Sequence, residues 1–258
     1  MTGGRRIGAA AAAASAAVLL AMAAGCGSDD SDSSESQTAA GTGTFPQTSE
    51  PANLDPADFT TEIDNPYFPL VVGSRWVVRV TDAEGLEQRQ VITVTDQTKR
   101  IANGVEARVV SDIVREDGEP VEVTKDWYAQ DSEGNVWYFG EDTAEYENGK
   151  VASTAGSFEA GVNGADAGIA MPAHPEVGQS YRQEYLAGQA EDRTAVLSLD
   201  EQAEVPFGHF TDVVLTKDYT PLEPDVLEYK LYAEGIGQVL AQTVSGGSER
   251  EELVSYTR

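Results

Sequence analysis

The sequence predicts an all-β domain: a curved antiparallel sheet, forming a partial or closed barrel, built from two related halves behind a disordered N-terminal signal and linker. Three observations carry this expectation. Apolar and polar residues alternate with a period of two through most of the chain after Leu70, as in half-buried antiparallel strands. Beyond the N-terminal signal no stretch sustains helical periodicity. Landmarks of the first half also return in the same order further on: Gly73 and Gly178 are 105 residues apart, while Gly104 and Gly208, like Tyr128 and Tyr232, are 104 apart. Near-constant offsets at successive points indicate an internal duplication.

Residues 1–25 read as a signal peptide. Arg5 and Arg6 precede a run of mostly Ala, Gly, Val and Leu from Ile7 to Ala24, too short and too alanine-rich for a spanning helix. Cys26 is the only cysteine, so no internal disulfide can form. Its context, Ala23-Ala24-Gly25-Cys26, resembles the bacterial lipobox, with Ala23 where that motif prefers Leu. The resemblance implies cleavage before Cys26, a diacylglycerol thioether on its sulfur and an acylated, palmitate-type amine. Two acyl chains give stable anchoring, so the expected partner of Cys26 is a membrane and the expected location is its extracytoplasmic face. Arg5-Arg6 leaves both the general secretory and the twin-arginine export routes open.

The signal removes two of the 17 basic residues and none of the 44 acidic ones, which leaves a formal charge of −29. Such a body is repelled by nucleic acid and by anionic head groups, and nucleic-acid binding is excluded on this ground. Residues 26–57 read as a lipidated cysteine and an acidic linker: Gly27 to Ser36 contains no apolar residue, and Gly, Thr and Pro follow. As a flexible coil it would reach roughly 30 Å.

A single β domain is expected over 58–258. Its lead-in, Ile63-Asp64-Asn65-Pro66-Tyr67-Phe68-Pro69-Leu70, is extended by its prolines, with Tyr67 and Phe68 covering one end of the core. Strands follow at Trp76-Val78-Val80 and Val91-Ile92-Thr93-Val94-Thr95. A third places Val105, Ala107, Val109 and Ile113 on one face, with Glu106, Arg108 and Asp112 on the other. Asp117-Gly118 marks a turn before the aromatic pair of runs Lys125–Asp131 and Val136–Phe139. Asn148-Gly149 is a strong type I′ hairpin signal. The Gly- and Ala-rich stretch of about 155–170 reads as a long loop, closed by Met171-Pro172-Ala173-His174-Pro175. The repeat-like halves span about 72–140 and 177–241, and Leu253–Tyr256 supplies a last strand; ten to twelve strands are expected in all.

Several motifs occur in one order: Asp64–Leu70, Val72–Val77, Lys125–Asp142, the Tyr146-Glu147-Asn148-Gly149-Lys150 hairpin and Met171–Tyr185. In these motifs the chain resembles a family of uncharacterised bacterial secreted proteins and lipoproteins. That resemblance implies a shared fold over about residues 58–258 and transfers no catalytic residue. A looser, architectural resemblance is to lipid-anchored curved sheets that carry lipids or lipoproteins across bacterial envelopes, and fold alone is a weak warrant for function.

The site residues are weighed against simpler roles. His174 and His209 are the only histidines, with no His-x-x-His, no cysteine pair and no nucleophile elbow, so an enzyme is not expected and no cofactor is implied. Asp131, Glu133 and Asn135 alternate like early calcium ligands. Their glycine falls at the fourth place and no Glu stands at the twelfth, so hairpin chemistry explains them without a metal. Trp127, Trp137, Tyr138 and Phe139 are the candidate ligand-binding residues. Consecutive aromatics point to both faces of a sheet, so the second face needs a cover: the 155–170 loop, another sheet or a ligand. The expected function is a monomeric, lipid-anchored binding protein for an apolar small molecule or lipid. The alternative is an envelope scaffold or protein-interaction lipoprotein without a cavity, and a hydrolase has the least support.

Overall fold

A computed structural model of the protein describes residues 45–258; the signal peptide, Cys26 and the first part of the linker lie outside the described residues. A 3-10 turn at Pro56–Asp58 precedes β1 (Phe59–Thr60). Then come β2 (Arg75–Thr81), β3 (Glu87–Arg100), β4 (Glu106–Glu116), β5 (Glu119–Asp131), β6 (Val136–Glu147), β7 (Lys150–Ser153), β8 (Phe158–Glu159) and β9 (Asp166–Met171). The remaining strands are β10 (Ser180–Arg182), β11 (Glu184–Tyr185), β12 (Arg193–Val205), β13 (Gly208–Tyr219), β14 (Leu227–Ala233), β15 (Gly237–Ser245) and β16 (Arg250–Thr257).

Thirteen of these form one antiparallel sheet in the order β10-β12-β13-β14-β15-β16-β2-β3-β4-β5-β6-β9-β11, nearly closed into a barrel. The two ends of that order are neighbours in the chain. Ser180–Arg182 pairs with β12, and Glu184–Tyr185, just past Gln183, pairs with β9. Gly168 makes this seam possible, because a Cβ there would stand 2.4 Å from the Gln183 backbone. The Gly/Ala stretch read as a loop therefore contains β8 and the barrel strand β9. Its alternation is weak because its strands need small residues for close approach: Ala160, Ala165 and Ala167 are all buried.

The linker ends earlier than its composition suggests. Phe45 meets the Tyr181 ring at 5.9 Å, and the backbone N–H of Arg182 donates to the carbonyl of Pro46. The buried Arg182 guanidinium donates to the carbonyls of Thr48, Glu50 and Ala167 and pairs with Asp166 at 3.1 Å. Residues 45–50 thus strap the seam through backbone carbonyls, which every residue carries, so composition holds no sign of it.

The lead-in is organised by Asn65. Its side-chain amide donates to the carbonyls of Gly134 and Pro172, and its Oδ1 accepts from the N–H groups of Tyr67 and Phe68. Phe68 is thereby laid against Tyr128 and Tyr232, with ring centroids at 5.3 and 6.5 Å.

The series β2-β3-β4-β5-β6 and β10-β12-β13-β14-β15 share one strand order. They also begin alike. Gly73 and Gly178 have φ of 90° and 87°, and each donates its N–H over 2.9 Å, to Val94 and Val196 respectively. The expected match of Gly104 with Gly208 is not found. Gly104 sits at φ 98° in a loop over 101–105, whereas Gly208 opens β13 without positive φ, paired with Val205 across a two-residue turn at Pro206-Phe207. The shorter turn removes the need for a left-handed residue.

Candidate functional site

Inside the barrel lies a cavity of about 150 Å³. Strand alternation decides its wall. Trp76 and Val78 of β2, Gln90 and Ile92 of β3, Val110 and Asp112 of β4, and Thr124, Asp126 and Tyr128 of β5 all line it. Tyr138 of β6, Glu184 of β11, Lys230 and Tyr232 of β14, and Glu251 of β16 complete the lining, while Phe68 and Leu70 cover one end. Aromatic and aliphatic side chains thus share the wall with four carboxyl groups, Asp112, Asp126, Glu184 and Glu251.

A bulge in β6 shapes the wall beside Asp126. Tyr128 pairs with Tyr138 and Asp126 with Glu141, so Phe139 and Gly140 of β6 oppose Trp127 of β5 alone. Gly140 absorbs the extra residue at φ 125°, a conformation L side chains rarely adopt, and a Cβ there would lie 2.1 Å from the Phe158 carbonyl oxygen. The bulge brings Tyr138 and Glu141 to the same side. The Tyr138 hydroxyl lies 2.9 Å from both Asp126 Oδ1 and Glu141 Oε2. A hydroxyl carries one proton, so both contacts are hydrogen bonds only when one of the two carboxyls is protonated. Burial raises Asp126 to about 7, against the Tyr138 bond that lowers it. Burial, with the Asp126 charge, raises Glu141 well above the ordinary carboxylate range.

Asp112 is raised well above its ordinary value by burial and then by Asp126. Gln90 Nε2 donates to Asp112 Oδ2 over 2.7 Å, which leaves Gln90 Oε1 and Asp112 Oδ1 buried with no hydrogen-bond partner. Glu184 is raised by burial and by Asp192 and Glu141, and Glu251 reaches about 8 through burial and Glu228. Among the described residues none of Asp112, Asp126, Glu184 and Glu251 forms an ion pair.

Lys230 does. Its Nζ lies 2.9 Å from Asp218 Oδ2 and 3.2 Å from Glu228 Oε2. Burial pulls the lysine down, yet Asp218 and Glu228 together hold it well above its ordinary value, so it stays charged. Asp218 also accepts from Thr194, Thr216 and Gln183.

The four aromatics singled out in the sequence separate. Tyr138 lines the cavity, stacked on Tyr128 at 4.9 Å. Trp137 and Phe139 alternate to the opposite face, where Phe59 covers them at 6.2 and 5.4 Å. Trp127 is 7 % exposed, with Lys99 Nζ 4.4 Å from its ring centroid, at the wall of a wider groove of about 390 Å³. That groove has none of the unpartnered buried acceptors found in the cavity. Trp127 and Trp137 do not face each other; Trp137 pairs with Ala129, and the cross-strand aromatic pair is Tyr128 with Tyr138. Sequence reasoning missed Asp112, Asp126, Gln90 and Glu251, whose only signal was their place in alternating strands.

Asp131 is engaged by its own turn. Its Oδ1 accepts from the N–H groups of Glu133 and Asn135, and its Oδ2 accepts from the Asn135 amide and Trp137 Nε1. Among the described residues no group of three or more His, Cys, Asp or Glu is placed to hold a metal ion. His174 and His209 are exposed and line neither the cavity nor the groove.

No protein-family model and no curated protein matches the chain. Two solved structures are similar to it. One, from Bacteroides fragilis, is named as an exported protein with a YmcC-like fold; it is 16 % identical over 75 % of this chain and 100 % of its own, with a TM-score of 0.43. The other, from Parabacteroides distasonis, is named as a lipoprotein; it is 13 % identical over 75 % of this chain and 99 % of its own, with a TM-score of 0.40. Likeness at this level carries no argument about function.

Proposed function

We propose that this protein is a lipid-anchored binding protein of the extracytoplasmic face, which holds a small ligand inside its barrel and performs no catalysis. The anchor reading rests on the Ala-Ala-Gly-Cys26 context and the signal-like segment before it. The ligand reading rests on one observation: the barrel interior is not filled, and the cavity there offers aromatic faces and polar groups together. At about 150 Å³ it is smaller than the several hundred cubic ångströms of drug-sized pockets, and it matches the cavity size that accepts a benzene-sized molecule. A long acyl chain does not fit that volume, which narrows the apolar ligand expected from sequence to a small, amphipathic one. A carboxylate and a histidine together would favour a hydrolase, and neither histidine lines the cavity. The shared strand order of the two series, with their matching Gly73 and Gly178 turns, supports their origin by duplication.

Native mass spectrometry of protein purified from the membranes of its own cells tests both parts. The expected spectrum shows a chain beginning at Cys26 with added acyl mass and a small non-covalent adduct. The adduct should vanish when Val110→Trp fills the cavity. An unlipidated chain overturns the anchor, and a wild-type protein without an adduct that also takes up no small probe overturns the binding reading.

A further inference from the structure

The two series can be placed on one another through their ladders. In the first, Ile92 pairs with Asp112, Val110 with Asp126 and Arg108 with Tyr128. In the second, Thr194 pairs with Asp218, Thr216 with Lys230 and Val214 with Tyr232. With Tyr128 laid on Tyr232, Asp126 falls on Lys230 and Asp112 on Asp218. One half therefore buries a carboxylate and an ammonium that meet at 2.9 Å. The other buries two carboxyls at the same places, and among the described residues neither pairs with a cation.

We propose that the cavity takes a small organic cation, a primary amine on an apolar group about the size of one ring, whose ammonium stands to Asp112 and Asp126 as Lys230 stands to Asp218. This rests on the reading of the barrel interior as a ligand site. Three further features fit the same class. Gln90 is 3 % exposed and its free Oε1 is an acceptor, and the free Asp112 Oδ1 is a second acceptor once that carboxyl ionises against a cation, so a donor serves both. An ammonium brings three donors and no acceptor. Trp76, Tyr128, Tyr138 and Tyr232 supply the aromatic faces that attract a cation and cover its apolar body. A bare metal ion fits less well, since among the described residues no three carboxylate or imidazole ligands converge.

The test is calorimetric titration of the full chain at neutral pH with three probes of one shape: benzylamine, benzyl alcohol and benzoate. Benzylamine should bind about tenfold or more tighter than the alcohol, and benzoate not at all. Asp126→Asn and, separately, Gln90→Leu should weaken benzylamine more than the alcohol and bring it down toward the alcohol, with circular dichroism confirming that each variant is folded. If amine and alcohol bind equally, the cavity is a ligand site and the inference of a cation is wrong. If none of the three binds, the ligand reading falls with it. If the amine binds tightly and neither substitution weakens it, the amine sits elsewhere and the inference fails.

Discussion

The two five-strand series share an order of strands and a turn geometry, and they differ in how they treat buried charge. In the second series Lys230 lies between Asp218 and Glu228, and Thr194, Thr216 and Gln183 donate to Asp218. Each charged atom there has a partner, as a buried ion pair requires. In the first series Asp112 and Asp126 line the cavity, Glu141 shares the Tyr138 hydroxyl with Asp126, and among the described residues none of the three pairs with a cation. Burial raises all three above the ordinary carboxylate range, which favours their protonated forms. The same ladder thus supports a self-sufficient charge network in one half and an incomplete one in the other. Incompleteness at a buried position is costly, and proteins retain such features at binding sites.

The largest expected effect comes from breaking the complete half. Lys230→Met removes the cation and leaves Asp218 and Glu228 buried beside each other, so unfolding by urea should show a loss of about 3–5 kcal/mol. An unchanged midpoint would mean that Lys230 is not what balances this network.

The next effect belongs to the incomplete half. Asp126 is raised from 3.8 to about 7, so the folded chain keeps a proton that the unfolded chain has released. Its contribution to stability is full below about pH 4 and is lost as pH rises through about 7, a change on the order of a few kcal/mol. Glu251, raised from 4.5 to about 8, extends the loss by about one further pH unit. The melting temperature should therefore fall from pH 4 to pH 8, at about 2–4 °C per kcal/mol for a domain of this size. Asp126→Asn should make that fall shallower between about pH 4 and pH 7 and leave the part due to Glu251, Glu122 and Glu249. A melting temperature that rises over this range would contradict the reading of the first half. The Asp126 charge in turn helps to raise Asp112, Glu122 and Glu141, and the Tyr138 hydrogen bond opposes its own rise.

The smallest effect separates the two halves at their third turns. Gly104→Ala places a Cβ 3.2 Å from Pro56 at φ 98° and should cost about 1–3 kcal/mol. Gly208→Ala meets open space without positive φ and should stay within about 0.5 kcal/mol of wild type. Equal losses in thermal unfolding would restore the equivalence that the structure denies.

Much of this architecture is set by local sequence. Alternation in Trp76–Val80, Val91–Thr95 and Val121–Trp127 determines strands, Asn148-Gly149 determines a hairpin, and the recurrence of Tyr128 at Tyr232 marks positions that the ladders place alike. The prolines of the lead-in and its Phe68 were legible as a cover over one end of the core. Other features depend on contacts far apart in sequence. Alternation says which residues share a face, but not which face lies inside once a sheet closes. Asp112 read as the polar side of its strand, and closure through Gln183 makes that side, with Asp126 of the next strand, the cavity wall. The bulge needs glycine at 140 because the Phe158 carbonyl stands against that site, and it carries Glu141 onto the face of Tyr138. Residues 45–50 are held by a buried arginine more than a hundred residues away. Period and composition are properties of neighbours along the chain; the inside of a barrel is created only when its edges meet, and the tertiary structure alone decided what this one encloses.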